Sequence, residues 1–288
     1  MAHSKHSPGA PSSDTPRKAG ESAQITTEEQ EDIEERSSPR APVIYEIVRK
    51  HGEEEMTRPT VSLWWSGVAA GLSISFSLLA QALLQMHLPN EPWRPLVSCL
   101  GYSVGFLMVV LARQQLFTEN TITVVLPVMA EPTRRNFANL ARMWSVVLLA
   151  NMVGGVFAAG FCTYTPVIGP ELRDAMLSIS RIMMENTWPQ MFFKGISAGF
   201  LIAAMVWLLP SADGAQFHVI LLMTYLIALG EFTHIVAGSV EAFMLIASGE
   251  QTPWSVVSGF TVPVLLGNIV GGTALFALIS YAQIMKEL

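Results

Sequence analysis

His234 lies in an interruption of a long apolar stretch, within the segment Phe232-Thr233-His234. An ionisable side chain at membrane depth is costly and usually faces a water-filled cavity or a partner. An imidazole titrates near neutral pH and can therefore exchange protons under physiological conditions. The alternative is a neutral histidine that only ties two helices together by hydrogen bonds. Because His234 falls in the interruption itself, we favour a functional role.

A second interruption, Leu116-Phe117-Thr118, lies in another long apolar run. The hydroxyls of Thr118 and Thr233 can serve a permeant ion or His234, although threonine hydroxyls in membrane helices often bond to their own backbone. Leu116 and Phe117 suit an apolar constriction that strips water or gates a path. Simple packing is the alternative for both apolar residues.

Four further charges lie near the apolar interiors, at Arg113, Glu119, Glu231 and Glu241. We expect pairing among them, since charges at membrane depth are usually compensated. This explanation ranks above contact with a substrate.

The sequence contains no nucleotide-binding, serine-hydrolase or metal-cluster pattern. Cys99 and Cys162 lie in apolar segments without metal or redox spacing, which indicates a packing role. We therefore predict that the protein is not an enzyme, and that it has no cofactor, no metal and no nucleic-acid partner.

The composition predicts a membrane protein. Of the 288 residues, 51% are apolar and 14% are charged, whereas soluble domains average about a quarter charged residues. A helix needs roughly 20 mostly apolar residues to cross a bilayer. Six stretches qualify: Val61–Met86, Val97–Val128, Phe137–Cys162, Met191–Pro210, Phe217–Ser248 and Trp254–Ile284. The second and fifth are longer than one straight crossing needs, and they contain the two interruptions.

The distribution of basic residues predicts that both termini are cytoplasmic. Arg49, Lys50 and Arg58 precede the first span, and Arg134 and Arg135 lie between the second and third. Residues 1–40 are polar, with no stretch that resembles a signal peptide, and we predict a disordered cytoplasmic tail. Residues 41–58 have helical apolar spacing and predict an amphipathic interfacial helix before the pore domain, residues 59–288.

Three pairs of segments recur in the same order in two halves of the chain, about 61–163 and 188–285. They are Ser66–Ile74 with Lys194–Ile202, Leu116–Thr118 with Glu231–Thr233, and Leu148–Gly155 with Leu265–Gly272. With three spans in each half, the second copy is inverted, and a functional site is expected where the two breaks meet. Asn151 and Asn268 precede Gly-Gly in both copies, and we favour interhelical hydrogen bonding over bracing of the breaks for them.

These motifs resemble the formate/nitrite transporter family and, within it, a branch of bacterial inner-membrane proteins. The resemblance covers roughly Val61 to Ile284 and is carried by three motifs, namely Leu116–Thr121, Phe232–His234 and Gly267–Gly272. It implies an all-α membrane protein of six transmembrane helices, with an aquaporin-like inverted 3+3 repeat and broken second and fifth helices. It also implies a homopentamer that passes formate, nitrite or a similar small monovalent anion, or its conjugate acid, across the bacterial inner membrane.

The resemblance also implies roles for individual residues. It assigns the cytoplasmic constriction to Leu116, Phe117, Thr118 and Phe106. It assigns the outer constriction to Tyr102, with Ile202 and Ile227 near the same ring. His234 matches a central histidine that is thought to donate a proton to the passing anion. Gly199, Gly238 and Thr233 depart from the family pattern around this histidine.

Two other functions fit parts of the sequence. One is an aquaporin-like pore for small neutral solutes, in which His234 only braces the break. The other is a non-transporting membrane sensor or scaffold that works through the N-terminal tail.

Overall fold

The structure is a computed structural model that describes residue 26 and residues 39–287. The disordered tail predicted for residues 1–40 therefore lies outside the described residues, except for residues 26, 39 and 40. Every regular element in the described part of the chain is helical, which confirms the predicted all-α class.

Ten helices organise this part of the chain. They are α1 Ala41–Thr57, α2 Thr60–His87, α3 Arg94–Leu111, α4 Val125–Ala130, α5 Arg134–Tyr164, α6 Pro170–Met184, α7 Trp188–Leu208, α8 Gln216–Leu229, α9 Ile235–Ala247 and α10 Pro253–Ile284. A 3₁₀ turn at Cys99–Tyr102 lies inside α3, and π-helical turns at Val257–Thr261 and Val270–Ala277 lie inside α10.

Five helices are long and apolar enough to cross a membrane, judged by length and composition over the described residues. They are α2, α3, α5, α7 and α10. Three apolar helical segments, Glu119–Ala130, α8 and α9, are too short to qualify alone. The protein is therefore a multi-pass membrane protein.

Several helices begin at residues that satisfy the exposed backbone N–H groups of a first turn. The Thr133 hydroxyl accepts from the Asn136 N–H at 3.2 Å at the start of α5. Thr187 and Thr252 are the N-cap residues of α7 and α10, and each forms a capping box. A proline follows each of them in the first turn of the helix. These are the cap residues that sequence patterns favour.

Glycines allow two helix pairs to approach closely. A Cβ added at Gly71 of α2 would lie 2.9 Å from the Cα of Gly154 in α5. A Cβ added at Gly195 of α7 would lie 3.3 Å from the Cα of Gly267 in α10. Small residues at such contacts are the usual basis of tight packing between membrane helices. The contacts join the first and last long helix of each predicted half.

Helices α3 and α8 end in the same way. Arg113 and Glu231 both have a φ of 52°, in the left-handed region. The N–H groups of Arg113 and Gln114 donate to Val110 and Val109, and those of Glu231 and Phe232 donate to Ala228 and Ile227. Each pair of bonds is a Schellman motif, which normally has glycine at the left-handed position. The chain leaves both helices at these turns.

The N-terminal helix α1 packs one face on the rest of the protein. Tyr45, Val48, Gly52 and Met56 are buried on this face, and the Tyr45 ring lies 5.8 Å from that of Tyr281. Other side chains of α1 form ion pairs along the helix, and the hydrogen bond from Arg49 lowers the pKa of Glu46. The sequence predicted an amphipathic interfacial helix over this range, and the structure shows which of its residues contact the protein.

Candidate functional site

The first non-helical segment, after α3, is held by one buried asparagine. The Asn151 Oδ1 accepts from the Phe117 N–H at 2.9 Å. Its Nδ2 donates to the carbonyls of Gly67 and Gln115, both at 2.8 Å. Asn151 of α5 thus ties α2 to the segment that follows α3, and it satisfies backbone groups that no helix can satisfy there.

The second non-helical segment, after α8, has an equivalent asparagine. The Asn268 Oδ1 accepts from the Ile235 N–H at 2.8 Å. Its Nδ2 donates to the carbonyls of Gly195 at 2.8 Å and Thr233 at 3.0 Å. The preference for plain interhelical bonding over bracing was therefore wrong, because both asparagines bond to the non-helical segments as well as to a helix.

These bonds correct one of the predicted repeat matches. Because the two asparagines hold equivalent atoms, Phe117 corresponds to Ile235 and Gln115 corresponds to Thr233. Thr118 and Thr233 therefore do not occupy matching positions. The predicted match aligned a Phe-Thr pair that occurs in both segments. This alignment differs by three positions from the one that the asparagine hydrogen bonds give.

His234 lies at the N-terminus of α9 and is 1% exposed. Its Nδ1 accepts from the Ala237 N–H at 3.2 Å, and its Nε2 lies 2.7 Å from the Thr118 Oγ1. A neutral imidazole has one donor and one acceptor nitrogen. Because Nδ1 accepts, the proton is on Nε2, which donates to Thr118. The threonine hydroxyl can then offer its own hydrogen to another oxygen.

Two aromatic rings of α3 lie beside this pair. The edge-on ring of Phe106 has its centroid 5.0 Å from that of His234, and the Tyr102 centroid lies 5.2 Å from that of Phe106. Phe106 is fully buried. The four predicted residues Tyr102, Phe106, Thr118 and His234 thus form a continuous set of contacts.

A cavity of about 250 Å³ reaches this set from the N-terminal end of α3. His234, Thr233, Tyr102 and Ile227 are among its lining residues. Polar groups from the same wall include Gln81, Gln85, Arg94, Glu231 and Glu241. We call this space the first cavity.

A second cavity, of about 300 Å³, lies at the C-terminal end of α3. It is lined by Val110, Arg113 and Glu119, and by residues of α1 that include His51 and Glu55. The 18 residues of α3 make it about 27 Å long, and the two cavities lie at its opposite ends. Phe106, in the middle of α3, lines neither cavity.

Four of the predicted site residues have other surroundings. The Phe117 ring packs edge-on against Trp144, with centroids 5.8 Å apart. Leu116 and Ile202 are buried in the apolar core and line neither cavity. The Thr233 hydroxyl donates to the Met191 carbonyl at 2.8 Å rather than to His234.

The predicted pairing among the four interior charges was wrong. Glu231 pairs with Lys194 at 3.2 Å. Among the described residues, no hydrogen bond or ion pair reaches the Glu119 Oε1 or the Glu241 carboxyl group. Local spacing could not reveal this result, because Lys194 lies 37 positions before Glu231.

Outside the spans, one ion pair joins α6 to the segment after α9. The Arg181 Nε of α6 lies 2.6 Å from a Glu250 oxygen in the segment after α9. This hydrogen bond lowers the pKa of Glu250. The pair therefore stabilises the contact at neutral pH and is lost as the pH falls through the lowered pKa.

The fold and this site define a membrane channel or transporter, with two cavities that approach one buried polar pair. A family model described as formate/nitrite transporter matches residues 42–282. The chain belongs to the formate/nitrite transporter family, as its motifs predicted. Because this is a family of transporters, the prediction that the chain is not an enzyme is confirmed.

Individual relatives agree with this assignment. The chain is 48% identical over 255 residues to the inner membrane protein YfdC of Escherichia coli, covering 88% of this chain and 82% of that protein. It is 29% identical over 242 residues to the formate channel FocA of Haemophilus influenzae, covering 75% of this chain and 84% of that protein. With the five apolar helices, this relationship supports the predicted bacterial inner-membrane location.

Solved structures share the fold. A pentameric formate channel with formate bound superposes with a TM-score of 0.66 at 21% identity, covering 79% of this chain and 98% of that chain. An ion channel of the same family gives a TM-score of 0.67 at 21% identity, covering 84% and 96%.

Proposed function

We propose that this protein is a channel or transporter for a small monovalent anion such as formate or nitrite, or for its conjugate acid. The observation that carries the proposal is the buried His234–Thr118 pair between the cavities at the two ends of α3. Its relatives include a formate channel, and a formate-bound channel shares its fold.

The proposed pore is built from six crossings in two inverted halves. Two of the crossings are broken, one made of α3 with Glu119–Ala130 and the other of α8 with α9. The equivalent Schellman turns and the equivalent asparagine braces support this duplication. The halves, about 61–163 and 188–285, then form one aquaporin-like pore domain, and we propose that five copies assemble.

We propose that both termini are cytoplasmic. Arg49 and Arg58 of the N-terminal region and Arg134 at the start of α5 lie near the second cavity's end of the protein, where Arg142 of α5 bonds to the Met56 carbonyl at 2.7 Å. An excess of basic residues marks the cytoplasmic side. The second cavity is then the cytoplasmic one, and the first cavity faces outwards.

The barrier between the cavities explains why protonation matters. An anion that loses its water beside Phe106 faces a large desolvation cost, whereas a neutral acid faces a much smaller one. We propose that His234 exchanges a proton with the permeant species there, and that the Thr118 hydroxyl hydrogen-bonds to it. Tyr102 and Ile227 form the outer narrowing. Leu116, Phe117 and Ile202 support the barrier from outside the cavities, whereas Thr233 lines the first cavity beside His234.

Uptake by reconstituted protein tests the choice of substrate. Liposomes that contain the full chain should take up labelled formate faster than protein-free liposomes, and unlabelled nitrite should compete. Glycerol permeability should not rise. Rapid glycerol entry with no uptake of formate or nitrite would favour the neutral-solute pore instead.

A further inference from the structure

Glu241 is a carboxyl group without a partner in the first cavity. It lies on α9 and is 7% exposed. It lines the cavity that also contains His234, and no described residue forms a hydrogen bond or ion pair with it. A charge in such a place is costly unless a ligand or a proton compensates it.

His234 cannot supply protons alone in this arrangement. Its Nδ1 accepts the Ala237 N–H, so the ring holds one proton, on Nε2, which Thr118 accepts. Placing a second proton on Nδ1 would set two donors against each other and break the cap of α9. His234 can exchange its one proton with the permeant species, but the net supply of protons to permeant anions must therefore come from another group.

Glu241 shares a face of α9 with His234 and is the more exposed of the two, at 7% against 1%. Glu241 lies seven positions after His234, which is about two helical turns, or about 10 Å along α9. Residues at this spacing share one face of a helix. Glu241 follows His234 towards the end of α9, and both residues line the same cavity.

The other charged and titratable groups in the cavity suit this role. Arg94, Cys99 and Tyr102 come from α3, and Glu231 at the end of α8 is neutralised by Lys194. The lining residues from α2, α6 and the turn after α6 are neutral: Gln81, Gln85, Ile179, Ile182, Met183 and Asn186. Arg94 can attract an anion, and an uncharged Glu241 does not repel it.

We propose that Glu241 is the proton donor that converts the entering anion into its neutral acid in the first cavity. This inference rests on the proposed function. The O–H bond of the Glu241 carboxyl group breaks, its electron pair stays on the glutamate oxygen, and a new O–H bond forms on the permeant oxygen. One negative charge is present before and after the step. The neutral acid crosses the barrier, and water at the cavity mouth returns a proton to Glu241.

A carboxylate permeant such as formate makes this exchange easy. Donor and product are both carboxylic acids, so the transfer moves one charge between similar groups. The low dielectric of the cavity therefore neither drives nor opposes the step strongly.

The test is the pH dependence of formate uptake by liposomes with the full chain, comparing wild type, Glu241→Gln and Glu241→Asp. The fraction of free neutral acid in solution falls about tenfold per pH unit above its pKa. Glu241→Gln uptake should follow that slope, because the variant takes up only acid formed in solution. Wild type and Glu241→Asp should have a shallower slope. Glu171→Gln, which removes an exposed carboxylate of α6, should match wild type.

A second readout does not depend on transport. The infrared spectrum of wild type at low pH should contain a protonated-carboxyl band that disappears as the pH is raised. The spectrum of Glu241→Gln should lack this band at every pH. Equal pH slopes in wild type and Glu241→Gln, or the absence of this band in wild type, would overturn the role of Glu241 while leaving the proposed function intact. Absence of wild-type uptake for both formate and nitrite would overturn the proposed function and this inference together.

Discussion

The hydrogen bond between Thr118 and His234 is the central interaction of the proposed site. Both groups are buried, and the Thr118 hydroxyl is the one polar side chain that the structure places against the histidine Nε2. A permeant molecule that leaves water needs replacement hydrogen bonds at this point. The hydroxyl is therefore expected to contribute to permeation itself.

Replacing Thr118 by Val keeps the shape of the side chain and removes the hydroxyl. Loss of a buried hydrogen-bond partner costs about 1–3 kcal/mol, so we expect formate uptake to fall about tenfold. Thr118→Ser retains the hydroxyl and should keep most of the uptake. Equal rates for the Val and Ser variants would show that the hydroxyl takes no part.

The hydrogen bonds of Asn268 lead to a separate prediction about the stability of the folded protein. Asn268→Ala removes three buried hydrogen bonds and leaves backbone groups without partners, at a cost of roughly 2–4 kcal/mol. Thermal unfolding of the purified protein should show a clear loss of stability, which Asn90→Ala in an exposed loop should not show. An unchanged unfolding temperature for Asn268→Ala would argue against the brace.

At this scale the sequence indicated His234 and Thr118 through polar interruptions in apolar runs and through the family motifs, and it indicated Phe106 through the family resemblance alone. It did not show that Glu241 lacks a partner. Pairing of buried charges depends on contacts between distant residues, such as Lys194 with Glu231. The spacing of charges along the chain carries no information about such contacts.

At the scale of the elements, close helix packing depends on glycines that have no room for a side chain. Gly154→Ala places a methyl group 2.8 Å from the Gly71 Cα and should cost about 1–3 kcal/mol through overpacking. Gly160→Ala on the same helix is the matched control, since its nearest neighbour would be 3.9 Å away. Unfolding measurements should separate the two variants. A similar loss in both would point to helix propensity or lipid contact as the cause.

The left-handed turn after α3 leads to the opposite prediction, a substitution that stabilises the protein. A non-glycine residue in this conformation costs about 1–2 kcal/mol, so Arg113→Gly should stabilise the protein by about 1 kcal/mol. Arg113→Val should destabilise it, because a β-branched side chain fits this conformation poorly. The same unfolding assay checks both changes. Stabilisation by Val as well as Gly would mean that the arginine charge, and not the backbone, sets the effect.

Helix positions could be predicted well where apolar length and cap residues agree, as in α5 and α7. The ends of α3 and α8 were harder, because their Schellman turns use Arg113 and Glu231 instead of the expected glycine. The register of the two breaks was also mistaken. A repeated Phe-Thr pair suggested a match that the asparagine hydrogen bonds do not support.

For the whole molecule, the central question is whether the two cavities belong to one pathway. The cavities lie at opposite ends of α3, with Phe106, Thr118 and His234 between them. The proposed pentamer gives each copy a pore of its own. Native mass spectrometry of the detergent-solubilised protein should therefore give a mass of five chains, and a stable monomer or dimer would contradict that assembly.

The most direct measurement is formate uptake into liposomes at about pH 5 and about pH 7.5, because the supply of protons to the permeant anion differs between these two values. Wild type would be compared with His234→Phe and with His218→Phe, which replaces an exposed histidine of α8. The proposal predicts faster uptake at the lower pH for wild type and His218→Phe, and loss of both uptake and its pH dependence in His234→Phe. Wild-type rates and pH dependence in a folded His234→Phe protein would contradict a pathway that runs past this histidine.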